Sequence, residues 1–279
     1  CEECHGRDRR AVPGFFVLQA LPVSRTHEKN DTGIFGFHAV IHYQEFVKER
    51  IDLNTQIILD YLSALSENNH REWYHANKED FKRANAEFLE LLQALMLEIG
   101  KFDSSVLPHD PKDLTFKIVR DTRFSHDKSP YNPAFRAHMS AKGKLPVPVG
   151  YYLMIKPGGQ SFLGGGLFAD MFKEATAMVR DYIAGNGEEW ERIIHQPEFE
   201  KYFAVKGTAL KKVPAGYQKD HPQAEYLKYK SWYLEYPMED DELRDAAVFV
   251  TKAAELFRIM KPFNDYLNKA LVDFQMPKR

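Results

Sequence analysis

The apolar residues early in the body of this chain recur at helical spacing. One stripe predicts a helix that ends near residues 68–69 and comprises Ile57, Ile58, Tyr61, Leu62 and Leu65. A longer stripe begins after Asn77, a typical N-cap residue, and ends at Gly100, a typical helix terminator; it comprises Phe81, Phe88, Leu91, Leu92, Leu95, Met96 and Ile99. This stripe has the width of a core-facing helix side, so we interpret it as core packing rather than a cofactor site.

Apolar and polar residues alternate with the period of a β-strand in the middle of the chain. The alternation predicts strands over residues 114–119, 135–139, 151–155 and 162–168, and the last two flank a turn at residues 156–159. No helical stripe separates these strands, so we expect antiparallel pairing.

Helical periodicity returns in the last third of the chain. It predicts helices over residues 170–183 and 188–194 and a short one around Glu198. A closing helix is predicted from residue 240 to residue 260; it meets Pro262 and continues to Phe274 with a kink or a break.

The remaining apolar run completes the fold prediction. Residues 231–236 predict an edge strand or a returning strand. The whole pattern predicts an α+β fold with a single main domain over residues 46–279, in which several helices cover one side of an antiparallel β-sheet.

Residues 1–45 do not follow any single period. We predict an N-terminal extension, partly disordered, whose aromatic-rich end from residue 33 to residue 46 docks on the body. Cys1 and Cys4 lie at its start and match the CxxCH haem-attachment pattern, which we attribute to chance because no export signal accompanies it.

Composition narrows the class of protein. The net charge of −2 and the pI near 6.6 exclude a general polyanion binder, so a nucleic-acid role would need a local basic patch. With only two cysteines, both in the extension, the chain fits a reducing cytosol, and we predict a cytoplasmic protein. No apolar run approaches the ~18 residues of a membrane span.

The densest chemistry lies between Lys117 and Tyr131, a segment that we call the basic loop. Together with Arg136 it holds five cations and two carboxylates; they are Lys117, Arg120, Arg123, Lys128, Arg136, Asp121 and Asp127. Two interpretations are open. The arginines and aspartates form a sealed structural network, in which Asp121 holds Arg123 or Arg71 and Asp127 caps backbone amides, or the surplus cations bind a phosphate or carboxylate.

Four stretches of the chain resemble the bacterial and fungal family catalogued as domain of unknown function 2461. They are NNHREWYHANK (68–78), VRDTRFSHDKSPY (119–131), YYLMIKPGGQSFLGGGLF (151–168) and LKKVPAGYQKDHP (210–222), and they cover most of the chain except its first 45 residues. The chain departs from the family pattern at three sites: Lys117 replaces a usual Arg, Asn132–Pro133 a usual Lys–Thr, and Ala169 a usual Pro. The resemblance implies no established activity.

Other candidate chemistry is weaker. Arg71 and Lys78 lie within two helical turns. They either converge on the basic loop or are solvent-exposed charges at the start of a helix. Gly164–Gly165–Gly166 lacks the lysine of a phosphate-binding P-loop, so close backbone approach within a sheet, or a bulge, is the better interpretation. The histidines form no tight ligand pair, and we expect neither a metal nor a cofactor.

The leading hypothesis is therefore a small phosphate-bearing ligand at the basic loop. In it Arg120, Arg123 and Lys128 bind the charge, Asp121 and Asp127 orient them, and Tyr131 donates a hydrogen bond or stacks, with Arg71 and Lys78 as further contacts. One alternative is a hydrolase or transferase in which Asp121 or Asp127 acts as acid or base. Another is a structural or interaction protein with an inert ion-pair network.

Overall fold

Two of the first three helices form where the apolar spacing predicts them, and a short helix that the spacing does not predict lies between them. In the computed structural model, which describes residues 53–168 and 170–277, the three are α1 (Thr55–Glu67), α2 (Arg71–Ala76) and α3 (Lys78–Ile99). The predictions for the N-terminal extension, for Cys1 and Cys4 and for the docking of residues 33–46 lie outside the described residues.

The ends of α3 show how the local signals act. Gly100 ends the helix as predicted, and its amide donates to the carbonyl of Met96 (2.8 Å). Asn77 occupies the N-cap position, but its side-chain amide donates to the carbonyl of Trp73 (2.9 Å) instead of capping α3. Asn77 therefore closes α2 while α3 begins, which keeps the two helices close together.

The strand predicted over residues 114–119 does not form. Leu114 instead ends a short helix, α4 (Pro111–Leu114), which Asp110 caps by accepting from the amide of Lys112 (3.0 Å). A proline in the first helical turn after an aspartate cap favours a helix start, and this local signal outweighs the alternation. The residues after α4 make only isolated bridges, Thr115 with Ala137 and Val119 with Tyr131.

A four-stranded antiparallel sheet forms the centre of the domain. Its strands lie in the order β1 (Phe135–Met139), β2 (Tyr151–Ile155), β3 (Ser161–Leu167) and β4 (Trp232–Met238). The predicted strands over residues 135–139, 151–155, 162–168 and 231–236 are confirmed, and β4 lies at an edge of the sheet.

Helices follow β3 and close the chain. They are α5 (Lys173–Gly185), α6 (Gly187–Ile194), α7 (Pro197–Tyr202), α8 (Ala224–Leu227) and α9 (Ala246–Ala270). The predicted start of the closing helix at residue 240 is wrong, because Asp240–Leu243 form a separate 3-10 turn and Asp245 caps α9. The helix then continues through Pro262 without a break.

The long helices α3 and α9 pack on one face of the sheet. Phe88 of α3 stacks on Phe135 of β1 (ring centroids 5.2 Å apart), and Phe257 of α9 contacts Tyr151 of β2 (5.1 Å). At the alternate positions, which point to the opposite face, Tyr152 contacts Phe162 (5.5 Å). The molecule is an α+β domain with helices against an antiparallel sheet, as predicted.

The glycine triplet lies where the backbone is crowded, which confirms the interpretation as close approach. A side chain on Gly165 would touch Met260 and Asn264 of α9, and one on Gly166, whose φ is +92°, would overlap the carbonyl of Trp232. Glycine is required there so that α9 and β4 can approach β3.

No helix within residues 53–168 and 170–277 is both long enough and apolar enough to span a membrane.

Candidate functional site

Backbone hydrogen bonds close the basic loop at its base. The amide of Arg120 donates to the carbonyl of Pro130 (2.9 Å), and the amide of Asn132 donates to the carbonyl of Ile118 (2.7 Å). The loop extends from this base into solvent, and Phe124 near its tip is 95% exposed. The site is therefore a projecting surface loop.

Arg120 is held inside the loop by Asp127. Its guanidinium donates to an Asp127 carboxylate oxygen, to the carbonyl of Ser129 (3.3 Å) and to the hydroxyl of Ser125 (3.4 Å). The other Asp127 oxygen accepts from the amide of Ser129 (2.9 Å). Hydrogen bonds from Ser129 and then from Arg120 hold the pKa of Asp127 well below its usual range, because they stabilise the ionised carboxylate.

Arg123 forms a second, more exposed ion pair with Asp121. Its Nε and Nη2 donate to the two Asp121 oxygens (3.0 and 2.6 Å), and its backbone amide donates to the same carboxylate (3.2 Å). These bonds from Arg123 lower the pKa of Asp121 and raise the pKa of the guanidinium. The Arg123 side chain is 78% exposed, so this pair stiffens the loop at its surface.

The two loop carboxylates are thus occupied by arginines, and three cations are left over. Lys128 donates to the carbonyl of Thr122 (3.0 Å), and Arg136 donates to the carbonyl of Lys117 (3.2 Å) and lies over the ring of Phe116 (5.5 Å). Among the described residues no carboxylate pairs with Lys117, Lys128 or Arg136. The loop region therefore keeps an excess of positive charge.

Tyr131 ends the loop and is packed rather than presented to solvent. It is 5% exposed, and its ring stacks on Tyr74 of α2 at 4.4 Å. The Asn69 side chain accepts from the Tyr131 amide (3.1 Å) and donates to its carbonyl (2.9 Å). Sequence analysis missed Asn69 because its partner is 62 residues away and no local pattern marks such a contact.

Arg71 and Lys78 lie at the starts of α2 and α3. Both are exposed, and neither forms an ion pair with a residue of the described part of the chain. Asn69 and Tyr74, which hold the end of the basic loop, lie in the same segment of the chain. Arg71 and Lys78 therefore add positive charge to the side of the domain that carries the basic loop.

A small polar cavity of about 110 Å³ lies at the start of β2, next to Tyr151. Tyr151 donates to Asp103 there (2.9 Å), and Asn264 of α9 donates to the carbonyl of Gly150 (3.1 Å). Burial and then the Asp103 charge raise the pKa of Tyr151, so its hydroxyl stays protonated. Asn268 binds both backbone groups of Val149 (2.8 and 3.0 Å), so the side chains around this cavity tie the loop before β2 to α9.

Potential metal ligands are dispersed over the described part of the chain. Within the described ranges no group of three or more His, Cys, Asp or Glu side chains has the geometry to hold a metal ion.

The chain matches a known protein family. The family model described as "Conserved hypothetical protein (DUF2461)" matches residues 57–266. No curated protein and no solved structure matches the chain. The matched segment begins in α1, ends in α9 and includes the whole basic loop.

Proposed function

This chain belongs to the DUF2461 family, whose description assigns no activity, and we propose that it binds a small phosphate-bearing ligand at the basic loop. One observation carries the proposal: arginines already occupy Asp121 and Asp127, while Lys117, Lys128 and Arg136 have no carboxylate partner among the described residues. An anionic ligand would neutralise this excess charge.

The ion pairs give the loop a defined shape for that ligand. Arg120 and Asp127 fix the base of the loop, and Asp121 fixes the orientation of Arg123. Donors stay accessible, since Nη1 of Arg123 makes no hydrogen bond within the described residues and Lys128 uses one of its three N–H groups. Both residues offer charged hydrogen bonds to phosphate oxygens without a change in loop structure.

Catalysis by Asp121 or Asp127 is less well supported. Both carboxylates are bonded to an arginine, and their lowered pKa values keep them ionised near neutral pH. A general acid must carry a proton at the working pH, and a carboxylate whose ionised form is stabilised by an arginine is a weak general base. The inert network remains the main competitor, and the bidentate pair of Arg123 with Asp121 is the observation in its favour.

The proposal also assumes a cytoplasmic setting. The scarcity of cysteine favours a reducing compartment, where phosphorylated metabolites are abundant.

Thermal unfolding of the full chain with added pyrophosphate, ATP and glucose 6-phosphate tests the proposal. A ligand at 100-fold over its dissociation constant stabilises the protein by about 2.7 kcal/mol. Lys128→Ala and Arg123→Ala are expected to reduce the stabilisation, and added NaCl to weaken it in the parent protein.

Lys173→Ala is the matched control, because it removes an exposed lysine at the start of α5, outside the loop. It is expected to leave ligand stabilisation unchanged. If none of the three anions shifts the unfolding temperature, or if the ligand-induced shift is equal in all variants, the loop is an inert ion-pair network and the proposal is wrong.

A further inference from the structure

A groove of about 310 Å³ lies between α1, α2 and the start of α3, separate from the basic loop. Its walls combine apolar, aromatic and charged side chains, among them Ile57, Asp60, Tyr61, Trp73, Asp80 and Arg83. A volume of this size is at the lower end of the range for small-molecule sites, which are about 300–1,000 Å³.

We infer that this groove binds a small organic ammonium ion, with its charge near Asp60 and Asp80 and its apolar part against Trp73. This site does not depend on the proposed phosphate site, and the two have opposite charge preferences.

The charges of the groove favour a cation. Asp60 accepts a hydrogen bond from the neutral amide of Gln56 (2.7 Å) and has no cation partner among the described residues. Asp80 is 3.7 Å from Arg83, a loose pair in which both side chains are more than half exposed. Exposed pairs of this kind are weak, and among the lining residues two carboxylates stand against the one guanidinium of Arg83, so the groove keeps a net negative charge.

The aromatic walls favour an organic cation over a metal ion. The ring centroids of Trp73 and Tyr61 are 6.0 Å apart, and the rings of Phe81 and Phe135 also pack against Tyr61 (5.8 and 6.4 Å). Trp73 is partly exposed, and the face of an indole attracts a cation more strongly than any other side-chain ring. A ligand with CH groups would also bury apolar surface against Ile57, which a hydrated metal ion cannot do.

Tyr61 adds an uncharged aromatic wall to the groove. Tyr61 is 5% exposed, and its hydroxyl has no hydrogen-bond partner in the described part of the chain. Burial, and then the nearby Tyr74, Tyr131 and Asp80, raise the pKa of Tyr61, so the phenol stays neutral. Among the lining residues the negative charge of the groove therefore comes from Asp60 and Asp80.

Isothermal titration of the full chain with n-butylammonium chloride tests the inference, with n-butanol as the neutral analogue and sodium butyrate as the anionic one. Saturable binding of the ammonium alone is expected. Equal binding of n-butanol would show a plain apolar groove and overturn the inference, as would the absence of saturable n-butylammonium binding.

Variants of the groove locate the binding site. Asp60→Asn and Trp73→Leu are each expected to weaken n-butylammonium binding about fivefold, in line with the strength of exposed cation–π and charge contacts. Asp113→Asn, which removes an exposed carboxylate in α4, is the matched control and should bind as the parent does. An unchanged affinity in both groove variants would overturn the inference.

Fluorescence gives an independent readout of position. Trp190 and Trp232 are fully buried, so a ligand-induced change in tryptophan emission would report on Trp73. Such a change is expected with n-butylammonium and not with equimolar NaCl. Binding that leaves the emission of the parent protein unaltered would place the cation elsewhere and overturn the assignment to this groove.

Discussion

The contact between Asn69 and Tyr131 yields the sharpest test of how the basic loop is held. The Asn69 side chain makes both of its hydrogen bonds with the backbone of Tyr131, at 3.1 and 2.9 Å. Val119 and Tyr131 form an antiparallel bridge but make no backbone hydrogen bond to each other. The two hydrogen bonds of the bridge join the neighbouring residues, because the amides of Arg120 and Asn132 donate to the carbonyls of Pro130 and Ile118. Asn69 therefore satisfies the backbone groups of Tyr131 that the bridge leaves open.

Asn69→Ala removes both bonds at once. Each bond contributes about 1 kcal/mol, and a shielded backbone group left without a partner costs about 1–3 kcal/mol. Because Tyr131 is 5% exposed, water replaces the lost partners poorly, and we expect the free energy of unfolding to fall by about 2–3 kcal/mol. Urea denaturation of the full chain, followed by circular dichroism, measures this change.

Asn68→Ala is the matched control, since Asn68 is the same residue type one position earlier. Its side-chain amide donates only to the carbonyl of Ala64 within the same helix end (3.0 Å), so its loss should cost about 1 kcal/mol or less. If the two variants lose the same stability, the proposed role of Asn69 as the anchor of the loop is refuted.

Three further predictions concern the sheet and its helices. Burial lowers the pKa of His138 to about 4, so the unfolded chain binds the extra proton between pH 4 and 6.5 and stability falls as the pH drops through that window. Urea titrations should show a loss of about 2 kcal/mol from pH 7 to pH 5, and His138→Gln should remove this dependence. Gly166→Ala should destabilise by at least about 2 kcal/mol in the same assay, from its positive φ and the overlap with the carbonyl of Trp232; a neutral result would contradict the packing argument. Phe88→Ala should cost about 3–5 kcal/mol by loss of its contact with Phe135, and a cost near that of an exposed substitution would contradict the assignment of α3 to the core.

Much of the fold can be predicted from local sequence patterns, and the errors in that prediction have local causes. The stripes of α1 and α3 and the alternation in β1, β2 and β3 predict the right elements, because a buried face repeats with the period of its own backbone. The segment from Leu114 to Val119 was mispredicted, because Asp110 and Pro111 start a helix turn just before it.

The site was predicted less completely than the fold. The density of cations and carboxylates between Lys117 and Tyr131 indicates either ion pairs within the loop or a charged ligand. The pairing of Asp121 with Arg123 is one of the interpretations that the sequence left open. The pairing of Arg120 with Asp127 required the loop conformation, because Asp127 lies seven positions after Arg120 along irregular backbone.

Sequence by itself determined the main helices and strands and where charge is concentrated, because both are properties of neighbouring residues. Tertiary structure decided which distant groups meet: Asn69 with Tyr131, Tyr151 with Asp103, and the α1, α2 and α3 side chains that line the groove. Such contacts depend on how helices and sheet pack, and packing is set by the complementarity of whole buried faces rather than by any short run of residues.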